Sequence, residues 1–190
     1  MNNHNFLEFY KICGLLKTTK RTGWVNNGIH LPESISDHMY RMSMFAMSLG
    51  DNTLGTDGKP IDRMKCMKMA LVHDLGESLV GDFTPHDKIT KEEKFNLEQN
   101  AMLKIKSTLN NDAGEEIYKL WLEYEEATTC EALLVKDFDK FEMILQALEY
   151  EKSQGKDLQS FFDSTRNRFK HPIFQDLAIK VEQERPKNNK

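Results

Sequence analysis

The sequence predicts an all-α protein, a single domain of seven to eight helices, and three observations carry that reading. Apolar residues recur at three- and four-residue spacing in one segment after another, residues that cap helices stand just before most of those segments, and no alternating strand of convincing length appears. The 190 residues, 39% of them hydrophobic, can bury a sufficient core without disulfides or a structural metal; residues 1–184 are expected to form that domain and 185–190 a disordered tail.

Each element follows from a local pattern. Phe6, Phe9, Tyr10, Cys13 and Leu16 lie at helical spacing from Asn5 to Lys17, and "RTGWVNNGIHLPES" then reads as an irregular loop because glycine, asparagine and proline dominate it. Ser34 or Ser36 can cap a helix that carries Met39, Met42, Ala46 and Leu49 and stops at Gly50. Asp62 can cap "RMKCMKMALVHDL", and Thr90 with Glu93 and Asp112 with Glu115 have capping-box spacing before "KEEKFNLEQNAMLKIKSTL" and "GEEIYKLWLEYEEAT". A long helix from Glu131 to about Lys152 aligns Leu134, Phe138, Phe141, Leu145 and Leu148, and "DLQSFFDSTRNRFK" and "IFQDLAIKVEQE" close the chain with shorter helical patterns.

Composition narrows the function. With 26 basic and 30 acidic side chains the net charge is −4, which argues against coating nucleic acid or an anionic membrane, so a bound phosphate must meet a local basic site. Cys13, Cys66 and Cys130 are far apart and lack C-x-x-C spacing, as expected of buried thiols in a reducing compartment. No run approaches the ~18 apolar residues of a membrane span, and a cytoplasmic protein, or a nuclear one, is the expectation.

The chemistry concentrates in "ALVHDLGESLVGD", where His73, Asp74, Glu77 and Asp82 follow an apolar helical pattern. Adjacent imidazole and carboxylate groups near a core need a shared partner, and a cation would serve both. His38, early in an apolar-striped helix, and Asp139, between Phe138 and Phe141, are the further donors on offer. Two imidazoles with two carboxylates suit Mn²⁺, Co²⁺, Fe²⁺ or Zn²⁺ better than Ca²⁺, with Mg²⁺ less favoured. Glu77 and Asp82 beside an open position suit water activation and proton transfer. Taken singly, His38 equally fits a hydrogen-bonded core histidine, Asp139 a partner of Lys136 or Lys140, and Asp82 a cap for the turn at Thr84 and Pro85.

The order His38, His73-Asp74, Asp139, with "RTGWV", "PESISDHMYRM", "LVHDLGESLVGD", "KEEK" and "FEMILQALEYE", resembles the HD-domain superfamily of metal-dependent phosphohydrolases, and within it the 5′-deoxynucleotidase group. The similarity runs from about Phe6 to Glu184. It implies an all-α HD-type fold, a divalent ion (Mn²⁺ or Co²⁺ foremost), a homodimer, and hydrolysis of deoxyribonucleoside 5′-monophosphates. By position it implies His38, His73, Asp74 and Asp139 as ligands, and Glu77 and Asp82 as the acidic pair that handles water, the leaving group or a second metal. Arg21 and Trp24 match the Arg and Trp that contact phosphate and sugar, although Thr22 and Gly23 separate them here whereas bacterial relatives have the pair adjacent. The competing functions are a phosphodiesterase or triphosphohydrolase on the same scaffold, and a non-catalytic nucleotide-binding protein.

Overall fold

The computed structural model describes residues 3–109 and 111–186, with side chains from residue 6 onward. Among them are ten helices and no strand: α1 (Asn3–Leu15), α2 (Thr22–Asn26), α3 (Ile35–Ser48), α4 (Arg63–Ala70), α5 (Glu77–Val80), α6 (Lys91–Leu109), α7 (Asp112–Glu126), α8 (Cys130–Gln154), α9 (Gln159–Thr165) and α10 (Pro172–Glu184). Eight have seven or more residues, in agreement with the expected bundle, and α2 and α5 are short additions. Among the described residues no helix is long and apolar enough to cross a membrane.

The caps explain the boundaries. Ser34, not Ser36, starts α3: its Oγ accepts the Asp37 N–H and Asp37 accepts the Ser34 N–H in return. Thr90 and Glu93 make the same reciprocal pair before α6. At α7 the cap is Asn111 rather than Asp112, because Asn111 has the extended backbone a cap needs and its Oδ1 accepts the Gly114 N–H. Gly114 is required for a second reason: a Cβ there would stand 2.8 Å from the Lys106 carbonyl oxygen, so α7 crosses α6 at backbone distance.

α8 is the central element, packed on α3, α4, α7, α9 and α10. Its Leu134, Phe138 and Ile144 join Met42, Met69 and Phe174 in the larger core, while Ile12, Ile35, Met39, Leu75, Met102, Ile105 and Trp121 form a second core beneath α1 and α6. Met39 and Met42 thus place consecutive turns of α3 in different cores, and His38 lies at the boundary.

Four expectations need correction. The helix expected over 63–75 ends at Ala70, and residues 71–76 continue as tight turns through bonds such as Val72 N–H to Met69 and Leu75 N–H to Val72. The segment 21–34 is not wholly irregular: the N–H of Arg21 bonds Glu33 and that of Ile35 bonds Thr19, closing a loop that contains α2. Arg185, assigned to the expected tail, is held in the fold, donating to both Glu151 oxygens and lying 3.8 Å from the Phe162 ring; residues 187–190 lie outside the described residues. Only Cys66 of the three free cysteines is buried, Cys13 and Cys130 being partly exposed.

Candidate metal centre and active site

Five pieces of chain converge on one cluster of polar side chains at the floor of a cavity. α3 supplies His38 and α8 supplies Asp139, each beside residues anchored in the core. The turns after α4 carry His73 and Asp74, and α5 opens with Glu77. Gly81, at φ +83°, ends α5 and redirects the chain into Asp82, a backbone conformation that a side chain would strain. Asp82 then accepts the Thr22 N–H at 2.6 Å, while the Thr22 hydroxyl donates to the Asp82 carbonyl at 2.9 Å, which fixes α2 and Arg21 over the site.

The metal-ligand candidates from the sequence come together. Single atoms of His38, His73 and Asp74 lie within 4.8 Å of one another. Asp74 Oδ2 stands 3.1 Å from His73 Nε2 and 3.7 Å from His38 Nε2, and Asp139 Oδ1 stands 3.4 Å from His38 Nε2. Arg21 spans the two aspartates, its Nη1 donating to Asp74 at 3.2 Å and its Nη2 lying 3.8 Å from Asp139. Lys136 pairs with Glu125 and Lys140 with Asp137, so neither takes Asp139, which instead accepts the Tyr124 hydroxyl at 3.0 Å. Nor is Asp82 the cap at Thr84; Asp87 fills that place.

The electrostatics are those of a dense carboxylate cluster. Burial pushes Arg21 down, but Asp82, Asp74, Asp139 and Glu77 outweigh it and hold the guanidinium well above its ordinary range. Burial raises the Glu77 carboxyl strongly and Asp74 and Asp82 add to the rise. Burial likewise raises Asp82, against the pull of Arg21. Asp74 and Asp139 go the other way: burial would raise both, yet His73, His38 and Arg21 keep them low. Burial and Arg21 lower His38, and Glu142 and Asp139 reverse this and lift it to about 10.

The donor set fits a divalent ion. His38 Nε2 and His73 Nε2 are both buried without a hydrogen-bond partner, and both face Asp74, while each ring is held at its other nitrogen, His38 Nδ1 by Glu142 at 2.6 Å and His73 Nδ1 by the Ala70 carbonyl at 3.0 Å. An imidazole fixed at one nitrogen with the other free toward a carboxylate is the arrangement metal ligands adopt. The cavity, about 390 Å³, is within the range of small-molecule sites and is lined by Arg21, Asp74, Glu77, Asp82, Asp139 and a wall of Phe83, Phe95, Tyr124 and Met143. Lys91, Lys94, Lys136 and Lys140 also line it.

Trp24 is not brought to this cavity. Its indole is 2% exposed, stacks on Phe161 at 4.4 Å, meets Tyr150 edge-on at 5.3 Å, and donates to Glu33 at 2.8 Å. Enclosed by Phe161 and Tyr150 and absent from the cavity lining, its large apolar surface is buried in the core. Sequence reasoning in turn missed the lysines, Phe83, Phe95 and Glu98 of the cavity wall, and Glu142 behind His38; the "KEEK" string and the buried-stripe position of Glu142 were the available signals.

Comparison with known proteins agrees with this geometry. Residues 13–178 match the HD domain. The 5′-deoxynucleotidase HDDC2 of Dictyostelium discoideum is 66% identical over 187 residues, 95% of this chain and 98% of that protein. The 5′-deoxynucleotidase HDDC2 of Homo sapiens is 45% identical, covering 97% of this chain and 88% of that protein. Among solved structures, a Pyrococcus horikoshii OT3 protein superposes with a TM-score of 0.79 at 32% identity, over 94% of this chain and 99% of that one. With the domain match spanning nearly the whole bundle, such relatives on either side of it, and a His73-Asp74 pair at the heart of the cavity, the chain belongs to the HD-domain family.

Proposed function

We propose that this protein is a divalent-metal-dependent 5′-deoxynucleotidase, hydrolysing deoxyribonucleoside 5′-monophosphates to deoxyribonucleoside and phosphate. The observation that carries the reading is the pair of buried, partnerless Nε2 atoms of His38 and His73 facing Asp74, at the floor of a cavity lined by His73, Asp74, Arg21, Glu77 and Asp82. The names of relatives 66% and 45% identical support the activity and the deoxynucleotide class.

His38, His73, Asp74 and Asp139 would hold the ion, Mn²⁺ or Co²⁺ by their mixed nitrogen and oxygen donors. When bound, it supplies polarisation of a phosphoryl oxygen and makes nearby water a better acid. Arg21 neutralises the dianionic phosphate through a planar fork suited to two oxygens. Glu77, buried beside Asp74 and Asp82, accepts in its ionised form the proton of the attacking water; Asp82, held by the Thr22 N–H, returns one from its protonated form to the departing 5′-oxygen. Phe83, Phe95 and Met143 give the sugar and base an apolar wall. The protein acts as a homodimer in the cytoplasm: Tyr40, Met44 and Met47 on α3 are exposed as an apolar face, and three free thiols suit a reducing compartment.

The deciding assay is phosphate release from a panel of ribo- and deoxyribonucleoside mono-, di- and triphosphates, with each divalent metal returned to stripped protein. Release confined to deoxynucleoside monophosphates is expected. Pyrophosphate or triphosphate as product moves the chain to a triphosphohydrolase, and binding without turnover makes it a nucleotide-binding protein. Sedimentation velocity tests the dimer.

A further inference from the structure

Behind His38, away from the cavity, is a carboxylate with no place in the reaction described above. Glu142 is fully buried, does not line the cavity, and is one helical turn beyond Asp139 on α8. Its Oε2 receives His38 Nδ1 at 2.6 Å. Its Oε1 receives two bonds from Arg41, Nε at 2.8 Å and Nη2 at 2.6 Å. Arg41 is three residues after His38 on α3, so the two contacts that cross from α3 to α8 come from adjacent turns. The same guanidinium continues along α8 to Gln146 at 2.7 Å and to both Glu149 oxygens at 2.9 and 2.8 Å. Every oxygen of Glu142 is thereby committed, and its rotation is blocked.

Burying a carboxylate is costly, and a helix-to-helix contact here needs no charge. What the charge does is specific: it accepts the hydrogen bond of Nδ1–H and so turns Nε2 of His38 toward Asp74 and Asp139, the nitrogen that would bind an ion once its own proton is displaced. His73 is held differently, by the Ala70 main-chain carbonyl, so His38 is the imidazole whose orientation depends on a side chain. We infer that Glu142, locked by Arg41, is a positioning residue that sets the tautomer and ring orientation of His38 and thereby the metal affinity of the site. This rests on the reading of the cluster as a divalent-metal site.

The test is metal binding by the full chain after chelator stripping, with Co²⁺ as the probe, read by calorimetric titration and by the visible spectrum of the bound ion. Glu142→Gln keeps the shape, and Arg41 retains Glu149, so the variant should fold; its Co²⁺ affinity is expected to fall about ten- to a hundredfold with an altered spectrum. Arg41→Gln should shift affinity in the same direction by less, and Glu149→Gln, which removes only the outer contact, should leave it unchanged. A Glu142→Gln variant whose stripped form melts lower while affinity and spectrum match the wild type would make the residue merely structural and overturn the inference. If that variant does not fold, Arg41→Gln decides, and an unchanged affinity there overturns it equally. A wild-type chain that takes up no Co²⁺ overturns the metal reading itself, an outcome separate from loss confined to the variants.

Discussion

At the scale of single residues, the roles divide by what each side chain touches. Asp74 faces both orphaned imidazoles, so Asp74→Ala is expected to lose the bound ion, which elemental analysis of the purified variant checks. Glu77 is buried beside the cluster without joining it at ligand distance among the described contacts. Glu77→Gln should keep the ion and lose about 10²- to 10⁴-fold in kcat, the usual reach of proton transfer by a placed group; loss of one of two ions would instead assign Glu77 to a second metal. Trp24→Ala addresses the residue that sequence and structure place differently. Its indole anchors the loop between Phe161 and Tyr150, so the variant should lose about 3–5 kcal/mol of stability in a denaturant melt while the kcat/KM ratio for dAMP over AMP stays as it was. A collapsed ratio in a stable variant would restore Trp24 to substrate selection.

At the scale of elements, α6 and α8 connect core packing to the site. Glu98 on α6 is buried in the cavity wall, and burial lifts its carboxyl from 4.5 to about 7, with Glu125 and Asp74 adding to the rise and Lys94 opposing it. A carboxyl raised in the folded state binds its proton more tightly there than when unfolded, so stability is fully present below about 4.5 and declines as pH rises toward 7. Melts of metal-stripped protein across that window should show the decline, no steeper than about 1.4 kcal/mol per pH unit from this group, and Glu98→Gln should flatten it. On α8, Phe138 is fully buried against Phe45 and Phe174, one residue before Asp139. α8 itself was legible in the sequence because its apolar stripe is long and regular, whereas α2 was not: five residues that include Gly23 and Asn26 hold a helical turn within a loop closed by the bonds at Arg21 and Ile35.

At the scale of the whole molecule, an ion held by the proposed ligands would tie together α3, α8 and the turns after α4, and ligand linkage would give about 2.7 kcal/mol of added stability at a hundred times Kd. Chelator treatment should therefore lower the melting temperature as well as abolish turnover, and differential scanning calorimetry with and without Co²⁺ reads both domain-wide cooperativity and the shift. The sequence by itself determined the helical class and the length and capping of most elements, because helix periodicity and capping spacing are written in neighbouring residues, and it offered His38, His73, Asp74 and Asp139 as one donor set through the family pattern they resemble. Tertiary structure alone decided which way each side chain faces where those local rules are silent. His73 and Asp74 sit in turns after Ala70 and not in a helix, Trp24 turns into the core, and Glu142 meets His38 across 104 positions of chain. Those outcomes depend on which surfaces pack together and which buried charges find partners, and both are set by contacts between segments far apart in sequence.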